Sequence, residues 1–368
     1  MKIWKYKRLS ECSNFVSERT SNIAIDNYIS TENMIENRGG VKEAAALPDV
    51  KSTSAYKPND ILLSNIRPYF CKIWFADKKG SCSNDVLVVR AKKEVDPKFL
   101  YYVLSDQNFF NWDSMTSKGT KMPRGTPNAI MKYSVPDLPL PTQQKIASIL
   151  SAYDNLIQNY KKQIETLQTT ASELYKEWFV RFRFPGWKNA KFENGIPEGW
   201  KIEKVKNCVN RLPFGQTYKK DELEPEGNVI VIDQSEDEYL GYHNNEPSHK
   251  ASAENPIALF GDHSCKYKLM IKDFSLGENI IPYTSKGVDL YYLYYSVYKI
   301  VQTEEYKRHW NLFVNKKVLI PNNELQKSFR QKVIPIFKQI EILNKQITNL
   351  TQQRDLLLPR LMSGKLEV

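Results

Sequence analysis

Two segments of the chain repeat apolar residues in alternating steps of four and three, which places one apolar line along a helix. The first series runs from Ile146 to Trp178 and the second from Phe329 to Leu361; we call each series a seam. Arg354 is the only non-apolar member. The offset between them is constant, and YKKQIETLQ overlays LNKQITNLT in the same register. The pattern predicts two long coiled-coil helices that are copies of each other.

Two equally long seams in one chain favour pairing with each other, as antiparallel helices related by a pseudo-twofold axis. The alternative is that each seam dimerises with a second chain. Before each seam, in LPLPTQQKI and VLIPNNELQKSF, a proline is followed by Thr142 or an asparagine, which predicts helix N-caps. Pro335 lacks an amide donor, so we expect it to bend the second helix or delay its start.

The segment before each helix starts with a shared opening motif. WKYKRLSEC overlays WKIEKVKNC and brings Cys12 onto Cys208, whereas little other sequence is shared. Both segments mix strand-like runs, such as DVLVVRA and NVIVID, with helix-like runs. We therefore predict an α+β chain with an internal repeat: two mixed α/β domains separated by two long antiparallel coiled-coil helices. The predicted boundaries are 1–141 for the first domain, 142–180 for the first helix, 181–199 for a connector, 200–321 for the second domain and 322–368 for the second helix.

The composition adds an expectation about the partner. Lys and Arg number 53 against 42 Asp and Glu, which gives a net charge of +11. Such an excess favours a polyanion, since basic side chains placed against phosphates release condensed counterions. The N-terminus lacks the apolar core of a signal peptide, and no apolar run approaches the ~20 residues of a membrane span. We therefore expect a cytoplasmic protein.

Cysteine and histidine usage argues against a metal site or a disulfide framework. The five cysteines are scattered without a CxxC pair, so we expect small buried residues in a reducing compartment. The four histidines have no ligand-like spacing, and we predict no metal ligands.

Each domain has a loop suited to a polyanion shortly before its long helix. In SKGTKMPRGTPNA, basic residues lie among glycines and hydroxyls, and glycine lets the backbone approach a phosphate closely. In EEYKRHWNLF, basic residues precede a tryptophan. A solvated basic loop is the alternative for each, and Arg67 could equally serve an internal ion pair. The predicted DNA-binding residues are Arg67, Tyr69, Lys118, Thr120, Lys121, Arg124, Lys266, Lys268, Lys307, Arg308, His309 and Trp310.

The sequence contains no convincing catalytic set. A GxxxxGK[ST] phosphate loop, an HExxH pair, a GxSxG elbow and the Asn-Pro-Pro-aromatic motif of amino-methylating enzymes are all absent. One enzymatic alternative is a self-sufficient magnesium-dependent nuclease, in which Asp49 and Asp77 would hold the metal beside Lys79. Such spacing is common by chance in a basic chain.

Many stretches across the chain resemble sequence motifs of one protein family, and they occur in the same order as in that family. They include NDILLSNIRPYFCKIWFA, CSNDVLVVR, GTKMPRGT, ELYKEWFVRFRFPG, GIPEGWKIEKV, ALFGDHSCK, FSLGEN and LLLPRLMSGKL. The chain resembles the specificity (S) subunit of type I restriction-modification enzymes. Pro335 is one departure, which concerns the straightness of the second helix.

The resemblance implies that the two domains are target recognition domains, each of which reads half of a split, asymmetric DNA site. The two helices are then conserved spacers that set the gap. The subunit would catalyse nothing and hold no cofactor. Two modification subunits with S-adenosylmethionine would methylate adenine at N6, and two restriction subunits would add ATP- and Mg-dependent translocation and cleavage. An anti-restriction or phase-variable relative with the same fold is a further alternative, because it would show the same sequence motifs.

Overall fold

The computed structural model describes residues 4–235, 237–303 and 307–366. The chain divides into two compact units. Unit 1 comprises Met1–Ile157 and Asn349–Val368, and unit 2 comprises Gln158–Thr348. Within the described residues, no helix combines the length and apolarity that a membrane span would need.

Unit 1 contains short strands and four short helices before the first long helix. The strands are β1 (Tyr6–Arg8), β2 (Ser13–Phe15), β3 (Arg19–Thr20), β4 (Tyr28–Ile29), β5 (Met34–Ile35), β6 (Gly40–Val41), β7 (Thr53–Tyr56), β8 (Ile61–Ser64), β9 (Ile73–Phe75), β10 (Gly80–Cys82), β11 (Val86–Ala91) and β12 (Ser134–Pro136). The helices are α1 (Leu9–Cys12), α2 (Pro97–Ser105), α3 (Gln107–Thr116) and α4 (Pro127–Ile130), followed by α5 (Leu140–Tyr175) and a π-helical turn at Lys176–Val180.

In unit 2, the end of α5 is followed by a small hairpin and then by a second mixed domain. Its strands are β13 (Phe192–Glu193), β14 (Ile196–Pro197), β15 (Lys201–Lys204), β16 (Val209–Arg211), β17 (Val229–Ile232), β18 (Gly241–His243), β19 (Ile257–Gly261), β20 (Tyr267–Met270), β21 (Phe274–Leu276), β22 (Ile280–Ser285) and β23 (Lys317–Ile320). Its helices are α6 (Val205–Cys208), α7 (Leu290–Val297), α8 (Trp310–Asn315) and α9 (Asn323–Met362), the last of which ends in unit 1.

The two domains share a framework that their sequences do not reveal. Each has a four-stranded antiparallel sheet, in the order β2-β11-β8-β9 in unit 1 and β16-β22-β19-β20 in unit 2. Each also pairs the strand of the opening motif with the strand before its long helix, β1 with β12 and β15 with β23. Cys12 and Cys208 are buried at the ends of the equivalent helices α1 and α6. The overlay of the two opening motifs therefore matches equivalent elements.

A second sheet completes each domain and differs between them. Unit 1 has the order β3-β7-β10-β4, and unit 2 has β18-β17-β21. All four residues of β8 and all four of β17 are buried, because side chains cover both faces of these strands. Such strands read as continuous apolar runs without alternation.

One glutamine ties each domain to its long helix. The Gln143 Oε1 accepts the backbone N–H of Asp96, which caps α2, at 2.9 Å. The Gln326 Oε1 accepts the backbone N–H of Asp289, which caps α7, at 2.8 Å. In both cases the amide nitrogen donates to a carbonyl just before the glutamine's own helix. The same buried contact between a glutamine and a helix-capping aspartate thus occurs once in each unit; we call these two contacts the latches.

The seams pack inside the chain, as the periodicity predicted. Their end positions, such as Ile146 and Phe329, are buried, and middle positions, such as Ile164 and Ile347, are half-buried. In unit 1, the start of α5 around Ile146 and Leu150 shares a core with the end of α9 around Leu358 and Leu361. In unit 2, the later part of α5 shares a core with the start of α9. That core includes Ala171, Trp178, Phe329, Val333, Phe337 and Ile340. The order of pairing shows antiparallel helices, and the seams serve intramolecular packing in this structure.

Arg354, the non-apolar member of the second seam, has a partner across the helix pair. Its Nη1 lies 2.7 Å from Oδ1 of Asp154, and the two side chains are only 20% and 22% exposed. The repeat relates Arg354 to Ala171 and Asp154 to Phe337, and both of these residues are buried in the core of unit 2. An ion pair in one unit therefore occupies the positions that two buried apolar residues occupy in the other.

At the starts of the two long helices, the structure corrects two expectations. Asn322 is a cap, since its Oδ1 accepts the N–H of Leu325 at 2.9 Å, but Thr142 lies inside α5 rather than before it. Helix α9 begins upstream of Pro335 and continues through it, so its start is not delayed. Pro335 and Gln331, whose carbonyl loses its usual amide partner, are both exposed, so water can satisfy that carbonyl. The domain boundaries given above stay predictions.

Candidate nucleic-acid interface

Both basic loops are attached to the same place in the shared framework. In unit 1, the N–H of Gly125 donates to the carbonyl of Asn65, just after β8, at 3.0 Å. In unit 2, the N–H of His309 donates to the carbonyl of Asp262, just after the equivalent strand β19, at 2.7 Å. We call the two places strand-end sites 1 and 2. The chain thus presents two unlike loops, 117–125 and the described part 307–309, from one scaffold position.

The loop of strand-end site 1 is closed by backbone hydrogen bonds. Lys118 and Arg124 exchange N–H···O bonds of 2.9 Å in both directions, and Gly119 adopts a φ of +98° inside the turn. The N–H of Arg67 donates to the carbonyl of Pro123 at 2.8 Å. These bonds hold the loop to the segment after β8, so its side chains are presented from a fixed backbone.

The predicted side chains of this loop reach solvent. Lys118, Thr120 and Lys121 are exposed. The Arg124 side chain is 56% exposed, and its Nη2 lies 3.2 Å from Oδ1 of Asp85. Sequence reasoning missed Asp85, because the pair joins two segments far apart in the chain.

Arg67 and Tyr69 lie beside the loop. Arg67 has a positive φ of 50°, and its guanidinium carbon lies 5.8 Å from the centre of the Phe70 ring. Its Nε is buried without a hydrogen-bond partner among the described residues, and no ion pair of Arg67 occurs there. Tyr69 is 52% exposed. The half-buried Arg67 therefore supports the surface, whereas Tyr69 forms part of it.

A buried carboxyl group lies under loop 117–125. Asp113 on α3 is fully buried, and in the described structure neither carboxyl oxygen has a hydrogen-bond partner. A β-carbon added to Gly125 would lie 2.4 Å from Oδ1 of Asp113 and 2.9 Å from Oδ1 of Asn65, so the backbone passes very close to both. Burial raises the pKa of Asp113 to about 7. The sequence gives no signal for this group, since NWDSM is unremarkable on a helix.

Strand-end site 2 exposes fewer of its predicted residues. The stretch EEYKRHWNLF includes residues 304–306, which lie outside the described residues. Lys307 and Arg308 are exposed, and Arg308 Nε lies 3.8 Å from Oδ2 of Asp262. His309 is buried, with Nδ1 3.2 Å from the Asp262 carbonyl. The half-buried Trp310 donates its backbone N–H to Oδ1 of Asp262 at 3.0 Å. His309 and Trp310 thus anchor the loop, and Lys307 and Arg308 face solvent.

Lys266 and Lys268 have a structural role that the sequence did not indicate. The Lys266 ammonium donates to the carbonyls of Ser235 at 2.7 Å and Asp237 at 2.6 Å. The Lys268 ammonium donates to the carbonyl of Glu238 at 2.6 Å, and burial lowers its pKa to about 8. Both ammonium groups therefore fasten the segment after β17 to the sheet.

The structure offers no support for the nuclease alternative. Asp49, Asp77 and Lys79 are exposed. Across the described part of the chain, no group of three or more His, Cys, Asp and Glu residues is arranged to hold a metal ion. All five cysteines are buried and unpaired, as expected.

Comparisons with known proteins agree with this architecture. Residues 1–169 match the family model described as the type I restriction modification DNA specificity domain. The chain is 28% identical over 324 residues to the type I restriction enzyme MjaIX specificity subunit of Methanocaldococcus jannaschii, which covers 75% of this chain and 71% of that relative. It is 24% identical to the MjaVIII specificity subunit of the same organism, over 99% of this chain and 93% of the relative.

A solved structure shows the same fold. The crystal structure of a type I restriction-modification system S subunit from M. genitalium matches with a TM-score of 0.53 at 17% identity, covering 98% of this chain and 96% of that one. Together the comparisons confirm the family resemblance carried by the sequence motifs: the chain is related to type I specificity subunits.

Proposed function

From this relationship we propose that the chain is the sequence-specific, non-catalytic DNA-binding subunit of a type I restriction-modification complex. Each domain reads one half of a bipartite, asymmetric site through its strand-end site. Exposed Lys118, Lys121, Lys307 and Arg308 supply phosphate contacts, and Arg124 supplies a fork for a base edge.

The observation that carries this proposal is the repeated attachment of two unlike basic loops. The same backbone hydrogen bond holds each loop, through Gly125 in unit 1 and His309 in unit 2, to equivalent strands. A shared framework with divergent presented residues suits two readers of different sequences. A single catalytic centre would not require the duplication.

We further propose that α5 and α9 set the gap between the half-sites and dock two modification subunits. Those subunits would carry S-adenosylmethionine and methylate adenine at N6. Two restriction subunits would use ATP and Mg. The chain itself would hold no cofactor, since its proposed part is recognition alone.

The first experiment separates this proposal from the nuclease alternative. Purified chain is incubated with duplex DNA and Mg, with and without modification subunits. We expect no cleavage, and sequence-selective binding that strengthens with those subunits. Arg124→Ala should weaken binding, whereas Asp77→Ala, also at an exposed site, should change it little. Cleavage that Asp77→Ala abolishes would refute the proposal.

The second experiment tests the helices as a spacer. Methylome sequencing of a host with and without the gene identifies the two half-sites and their gap. Seven residues are then removed from α5 between Ile146 and Leu174, together with the equivalent seven from α9, so that the seams still match. We expect a shorter gap with both half-sites unchanged. Altered half-sites with an unchanged gap would contradict the spacer role.

A further inference from the structure

Asp85 is held firmly at the edge of strand-end site 1. Its N–H donates to Oγ of Ser83 at 3.2 Å, and its carbonyl accepts the N–H of Asn65 at 2.9 Å. It immediately precedes β11, which pairs with β8 in the main sheet. The carboxylate therefore projects from a backbone fixed on both sides.

Arg124 is fixed in the same way and stays accessible. Its backbone pairs with Lys118 in both directions, and its guanidinium contacts Asp85 through one terminal nitrogen. The side chains of Arg124 and Asp85 are 56% and 37% exposed. By contrast, Arg90 is only 24% exposed and meets the buried Asp60, as expected of a structural ion pair.

Stability alone does not account for this exposed pair, because exposed ion pairs contribute little to folding. A carboxylate beside an exposed arginine has two other effects. It limits the rotamers of the guanidinium, which lowers the entropy lost when the fork meets a ligand. It also repels a phosphate that approaches the same fork, which disfavours sequence-independent docking.

We propose that Asp85 is a specificity-determining residue: it holds Arg124 so that the guanidinium fork reads a guanine edge in the major groove. The inference rests on the proposed function. Lys118 and Lys121, which have no such carboxylate in ion-pair contact among the described residues, take the phosphates. One half-site thus contains a guanine whose recognition depends on the pair of Arg124 and Asp85.

The test uses the full chain with its modification subunits and starts by selecting bound duplexes from a random pool. Asp85→Asn keeps the size of the side chain and removes its charge, and Arg124→Lys keeps the charge and removes the fork. We expect both variants to relax the preference for one guanine in one half-site by about tenfold. The other half-site should be unchanged.

Lys121→Ala is the matched control from the same loop. It should weaken binding to all duplexes about equally and lower the slope of log K against log salt by about one unit. Arg124→Lys keeps the test decisive if Asp85→Asn fails to fold.

The outcomes separate the two levels of the argument. If the wild-type complex shows no sequence preference, the proposed function is wrong. If the wild-type complex is selective but Asp85→Asn keeps the full guanine preference or weakens all duplexes equally, the role of Asp85 is wrong. If Arg124→Lys weakens all duplexes equally, the base contact of Arg124 is wrong as well. In both cases the proposed function of the chain as a sequence-specific DNA-binding subunit stands.

Discussion

The ion pair between Arg354 and Asp154 allows a quantitative test of how the repeat was built. Asp154 also accepts the hydroxyl of the buried Tyr102 at 2.5 Å, so the pair belongs to a small network. Burial opposes the charge of Arg354, but the carboxylates of Asp355 and Asp154 outweigh it and raise the pKa of the guanidinium. The arginine therefore stays charged inside the seam.

We expect Arg354→Ala to destabilise unit 1 by about 2 kcal/mol. Removing one partner of a fully buried pair costs about 3–5 kcal/mol, and exposed pairs contribute about 0–1 kcal/mol. The side chains of Arg354 and Asp154 are about one-fifth exposed, which places the expected loss between these limits.

The compensating variant copies the other unit. Arg354→Ala is combined with Asp154→Phe, which installs the residues found at the equivalent buried positions of unit 2, Ala171 and Phe337. Tyr102→Phe is added, because the hydroxyl would otherwise lose its acceptor. Since a well-packed apolar pair often replaces an ion pair at no cost, this triple variant should lie within about 1 kcal/mol of the wild type.

Urea unfolding followed by far-UV circular dichroism measures these differences, and hydrogen exchange of peptides from residues 140–157 of α5 assigns them to unit 1. Lys345→Ala breaks a pair with Glu341 on α9 and serves as the control, with little change expected because the Lys345 side chain is 73% exposed. A triple variant no more stable than Arg354→Ala would show that the two sets of residues are not interchangeable. If Arg354→Ala unfolds at the same urea concentration as the wild type, leaving Asp154 without its arginine costs nothing, and the expected destabilisation is wrong.

Three further predictions concern the latches and the loop. Gln143→Leu and Gln326→Leu should each cost about 2 kcal/mol, because a buried amide and carbonyl lose their partners, and hydrogen exchange should locate each loss in its own unit. Gly125→Ala should lower both the thermal midpoint of unit 1 and its DNA affinity, since the new methyl group would overlap the oxygens of Asp113 and Asn65; an unchanged midpoint would contradict the close approach. Asp113 has a folded pKa of about 7 against an ordinary value of 3.8, so the folded state binds the extra proton and stability should fall as pH rises between these values. Asp113→Asn should remove that fall in a pH series of urea midpoints.

The sequence alone determined the parts of the fold that depend on local periodicity. Alternating steps of four and three specify an amphipathic helix without reference to any partner, and two such runs in one register specify a repeat. The opening motif was also recognised from local sequence, and the structure confirms that Cys12 and Cys208 end equivalent short helices. The basic loops before each long helix were also visible, as was the family resemblance.

Only the tertiary structure decided which charged groups are available to a ligand. Lys266 and Lys268 read as basic surface, but their ammonium groups fasten main-chain carbonyls. His309 reads as a ligand-facing residue, but it is buried as an anchor. Asp85 meets Arg124 across segments far apart in the chain. Strand pairing and ion pairing join residues at long sequence separation, so a pattern read along one chain segment carries no record of its partner.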